Sequence, residues 1–167
     1  MGKGKKRWWL LVIVGGAALT CILVFVTLAA LFMGYMNSQE RAAEPVAAQT
    51  QSDVEREFQK VSPLPNAIPS QGGSMHKTQQ GVVSEAYKTE EDYEAIKAYY
   101  DSELARLGWK LIRENNVVYD GQDYGGRERL YCKGVYSAEL QYAGRQEKEF
   151  DWTYSFALTW GLSQDCK

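Results

Sequence analysis

From Trp8 the chain reads WWLLVIVGGAALTCILVFVTLAALFMGYM, with no charged residue before Glu40. The uninterrupted apolar run Leu10–Met33, at about 1.5 Å per helical residue, reaches across a hydrocarbon core of about 30 Å. Trp8 and Trp9 at one end and Tyr35 at the other take the positions that interfacial aromatics prefer. The pattern predicts one transmembrane helix over 10–35. Lys3, Lys5, Lys6 and Arg7 in a basic N-terminus 1–9 place that end in the cytoplasm and the rest outside it. An apolar run this long predicts an uncleaved signal anchor, hence a single-pass protein of the cell membrane with a periplasmic or extracellular C-terminal domain. Gly16 with Thr20 and Ala30 with Gly34 have the four-residue spacing that lets helices approach, so they are candidates for packing against a second copy or another membrane protein.

Residues 36–80 lose this pattern. Pro45, Pro63, Pro65 and Pro69, with Gly72-Gly73, argue for an extracytoplasmic linker without long regular elements. Within it Val54, Phe58 and Val61 recur at helical spacing, and Ser52 with Glu55 resembles a capping box, which predicts a short helix over 53–61.

Beyond residue 80 a soluble α+β domain, 81–167, becomes legible. Val82–Lys88 is a strand candidate. Thr89 followed by Glu90, Glu91 and Asp92 marks a helix start, since a hydroxyl cap and an acidic first turn satisfy open backbone donors and suit the dipole. Tyr93, Ile96, Tyr100, Leu104 and Leu107 then give one apolar stripe, and Gly108 stops the helix. Trp109–Tyr119 reads as a strand and Asp120–Gly126 as a loop. The even positions Leu130, Cys132, Gly134, Tyr136, Ala138, Leu140 and Tyr142 fall on one face of a strand region. Phe150, Trp152, Tyr154, Phe156, Leu158 and Trp160 alternate with polar or small residues in the last strand. The expected fold is β-α-β-β-β, an antiparallel sheet of four strands covered by one helix. Cys132, on the inner face, and Cys166, just past the last strand, are candidates for a disulfide.

Charge narrows the function. Setting aside the four N-terminal cations leaves 15 basic against 21 acidic residues, a net of −6. Phosphate backbones need a basic footprint, so no nucleic-acid partner is expected. His76 is the only histidine; one imidazole supplies neither a metal site nor the base of a nucleophilic triad. Glu90, Glu91 and Asp92 serve a helix cap, and Glu147 with Glu149 lies in a turn. No catalytic, metal or cofactor site is expected. The aromatic surplus, five Trp and eleven Tyr, makes Tyr99, Tyr124 and Tyr131, with Tyr136, candidates for an interaction surface. The layout points to a membrane-tethered, non-catalytic binding or accessory module of a bacterial envelope complex, partnered by the lipid bilayer through 10–35 and by an envelope protein or a second copy. The alternatives are a small-ligand sensor domain, which needs a defined pocket, and a purely structural domain.

Overall fold

The computed structural model describes the backbone of residues 3–166 and the side chains of residues 25–36, 38 and 43–166. The chain divides into two compact units, Met1–Ala43 and Glu44–Lys167. Helix α1 spans Lys3–Phe58 and takes Pro45 within it. The expected membrane span is corrected here: among the described residues no helix is long and apolar enough to cross a membrane. Residues 10–24 of the apolar run belong to α1, but their side chains fall outside the described residues. With the span go the signal-anchor topology, the single-pass membrane location and the bilayer as partner. The separate helix at 53–61 is also corrected, since Val54 and Phe58 lie in the last turns of α1 and Ser52 is inside it.

In the second unit the strands are β1 (Ile68–Lys77), β2 (Gln80–Lys88), β3 (Lys110–Tyr119), β4 (Gln122–Lys133), β5 (Tyr136–Tyr142) and β6 (Tyr154–Trp160), with α2 over Tyr93–Arg106. They form one six-stranded sheet in the order β1-β2-β6-β5-β4-β3, antiparallel throughout. A turn of 3-10 helix at Gly144–Gln146 and a short α3 at Glu147–Phe150 join β5 to β6. The expected four strands under one helix are therefore too few. β1 arises from residues taken as linker, and β4 begins inside the expected loop, because Asp120 and Gly121 alone turn the β3–β4 hairpin with positive φ.

α2 is capped by Asp92, whose side chain accepts from the Ala95 amide at 2.9 Å. Thr89 instead accepts from the Glu91 amide, one turn too early to cap the helix. The stripe Ile96, Tyr100 and Leu104 is fully buried. It meets Tyr154, Phe156 and Leu158 of β6, Ala138 and Leu140 of β5, and Val54 from the end of α1 in one apolar cluster. Phe156 is stacked between Phe58 of α1 and Tyr100 of α2, at 5.7 and 5.0 Å between ring centres.

One face assignment is overturned by register. β4 and β5 pair Leu130 with Glu139 and Tyr131 with Ala138. Partners therefore have opposite parity, and directly opposed side chains share a face. The core side of β4 carries the odd residues Arg129 and Tyr131, while that of β5 carries the even Ala138 and Leu140. Leu130 and Cys132 point to the other face, not the inner one.

Phe156→Ala removes a ring packed on both helices and is expected to cost about 3–5 kcal/mol in urea unfolding of the full chain. The exposed-face change Ser155→Ala should stay within about 0.5 kcal/mol. Equal midpoints for the two variants would remove this residue from the core.

Candidate functional site

The two faces of the sheet differ in kind. The covered face carries aromatics and one buried cation. Arg129, its side chain 2% exposed, places Nη2 2.7 and 2.9 Å from the two Asp101 oxygens of α2 and bonds Glu114 of β3 through Nη1. Its Nε donates to the Tyr131 hydroxyl at 2.8 Å, and that hydroxyl donates to Asp101 at 2.8 Å. Burial pushes the Tyr131 phenol above its ordinary pKa. Tyr93 donates to Glu114 at 2.7 Å, and burial followed by that bond pushes it up to about 12. Every arm of the guanidinium is committed, so this cluster ties α2, β3 and β4 together and presents no reactive group.

The opposite face is floored by small and polar side chains. Reading across the strands, Gly73 opposes Ser84, Ser84 opposes Ala157, Ala157 opposes Glu139, Glu139 opposes Leu130, and Leu130 opposes Arg113. Over β1, β2 and β6 this floor sinks into a groove of about 440 Å³, walled by Met75, Val82 and Trp152 and edged by Ser84, Ser155 and Gln71. Trp152 is held by stacking on Phe150 at 5.1 Å. Gly72 lets β1 lie close, since a Cβ there would come within 2.8 Å of the Ser84 carbonyl oxygen, whereas a Cβ on Gly73 would meet open space.

The other end of the same face is crossed by the residues after β6. Cys166 is disulfide-bonded to Cys132, and Asp165 pairs with Arg113. Ser137 and Thr159, buried beside this strap, share a 2.6 Å hydrogen bond. Glu139 stands between strap and groove. Burial pushes its carboxyl above the ordinary range, the neighbouring Glu128 adds to the rise, and Arg113 opposes it. Arg113 is itself shared between Asp165 and Glu128, the latter at 3.7 Å.

The sequence-derived candidates scatter. Tyr131 is 2% exposed and belongs to the Arg129 cluster, which corrects its place on a surface. Tyr99 packs on the core and donates to the Ser62 and Pro63 carbonyls. Tyr124 lies under the Arg145 guanidinium beside a second, open hollow of about 540 Å³. Tyr136 packs against the core cluster. Ala30 is exposed and Gly34 faces open space, while the side chain of Thr20, like Gly16, lies outside the described residues. His76 lies 3.3 Å from Glu44, on the covered side. Among the described residues no three or more His, Cys, Asp or Glu side chains are gathered to hold a metal.

The groove is not legible in the sequence, because β1 has the composition of a linker and Trp152 shares the alternation of the core residues of the last strand. One signal was present: the odd, polar side of β6, which includes Ser155 and forms part of the rim. No family model, curated protein or solved structure matches the chain.

The raised pKa of Glu139 sets a sign. Its folded value lies above the ordinary 4.5, so its contribution to stability is present below that value and is lost as pH rises through the raised one. Glu139→Gln removes the desolvated charge and should raise the melting midpoint at pH 7, with no gain near pH 4. Scanning calorimetry at the two pH values checks this; an unchanged midpoint at pH 7 would mean that the carboxylate is fully solvated.

Proposed function

We propose that the unit Glu44–Lys167 is a non-catalytic small-ligand-binding domain of the sensor type, with the groove beside Trp152 as its site. The observation that carries this reading is a preformed concavity of about 440 Å³, within the roughly 300–1,000 Å³ of small-molecule sites. On the open face its walls combine an indole, a thioether and a valine with the Ser84 and Ser155 hydroxyls and an amide, and Ser74 and Glu85 complete the lining. That mixture suits a ligand with one apolar flank and several hydrogen-bonding groups. The catalytic reading lacks an activating base: His76 is bonded to Glu44 on the covered side, away from Ser84 and Ser155.

Gly73→Phe fills the groove without meeting protein atoms at Cβ. Amide-resolved NMR titration of the full chain with neutral oligosaccharides and capped dipeptides should give saturable shifts at Gly73, Ser84 and Ser155. The Phe variant should weaken binding by at least about tenfold and keep its melting midpoint within about 2 °C. Shifts spread evenly over both faces, or unchanged affinity in Gly73→Phe, would overturn the reading in favour of a structural domain.

A further inference from the structure

We propose that the groove selects a ligand carrying an ammonium group, which Glu139 receives while the uncharged body of the ligand lies against Trp152. This deepens the ligand-binding reading and rests on it. The row from Gly73 through Ser84 and Ala157 to Glu139 is continuous in register on the open face. Strands lie about 4.8 Å apart, so Glu139 stands about 10 Å from Ser84 and about 14 Å from Gly73. Ala157, between Ser84 and Glu139 in the row, carries only a methyl group, and Glu139 lies beyond the lining of the groove.

Glu139 is left available. Among the described residues no hydrogen bond or ion pair engages its carboxylate. The cation nearest in the row, Arg113, is taken by Asp165 and Glu128. The next residue beyond Glu139 is Leu130, 4% exposed and unable to donate. Ser137, next on the same face of β5, spends its hydroxyl on Thr159. The carboxylate thus loses hydration without gaining a hydrogen bond; burial first and the neighbouring Glu128 second hold its proton more tightly, and the charge of Arg113 offsets this in part. A guest ammonium would restore a charge-assisted hydrogen bond at that point; a neutral guest would restore a weaker one and an anion none. A metal ion is a poorer fit, because one carboxylate supplies too few ligands. The span of about 10–14 Å sets the ligand at the length of two or three linked rings.

The probes are a glucosamine trisaccharide and its fully N-acetylated counterpart, which share a skeleton and differ in charge. Calorimetric titration of the full chain at pH 6 in low salt should show the amine form binding at least about tenfold tighter. Glu139→Gln should abolish that preference while retaining the N-acetylated form's affinity, and Gly73→Phe should weaken both. A preference that survives in Glu139→Gln would assign it to the domain's general acidity and overturn the proposal. Equal binding of the two probes to the native chain would overturn ammonium selection but leave the groove in place if Gly73→Phe still weakens both. Absence of binding by either probe would overturn the proposal together with the groove's fit to such a body.

Discussion

A sheet sends successive side chains to opposite faces, and this chain has helices enough to cover one of them. The rest of the second unit follows from that constraint. Aromatic and aliphatic residues of β5 and β6 are drawn to the side where α2 and the last turns of α1 lie, and Tyr100, Phe156 and Phe58 stack through the contact. The remaining face keeps Leu130, Ser137 and Thr159 buried near the strap, and over β1, β2 and β6 it is floored by glycine, serine and alanine. A floor of such short side chains is also what leaves room for a groove.

Two polar devices hold the arrangement at its margins. On the covered face Arg129 joins residues from α2, β3 and β4, so the edge of the sheet is bound to the helix by charge where apolar contact thins out. Removing either carboxylate leaves the buried Arg129 short of a partner, which makes the cluster sensitive to substitution at Asp101 or Glu114. At the other margin, α1 is pinned by Gln51, whose amide donates to Ser74 and the Val82 carbonyl and accepts from Trp160 at 2.9 Å. On the open face the disulfide and the Arg113–Asp165 pair fasten the strap. Glu139, on the same face, is desolvated and shares none of these bonds.

The elements with strong internal periodicity were legible in the sequence. The Ile96, Tyr100 and Leu104 stripe and the alternation of Tyr154, Phe156 and Leu158 each name their buried side directly. Three features were not. β1, IPSQGGSMHK, is an edge strand exposed along its whole length, so burial imposes no alternation on it. The parity change between β4 and β5 is set by hairpin register, which side-chain pattern alone does not fix. The span expected from the length of the apolar run, its flanking aromatics and the basic N-terminus is not met, since among the described residues no helix is long and apolar enough to cross a membrane. The groove was hidden for the first of these reasons: half of its lining comes from a strand that the pattern does not announce.

The division into a covered and an open face is tested most directly by solvent paramagnetic relaxation of methyl groups in the full chain, using a neutral gadolinium chelate. Met75, at 69% exposure, and Val82 on the groove wall should be attenuated strongly, while Leu140 and Leu158, at 1% and 0%, should be nearly unaffected. Comparable attenuation of Leu140 or Leu158, or protection of Met75 and Val82, would contradict the assignment of faces on which both the core and the groove depend.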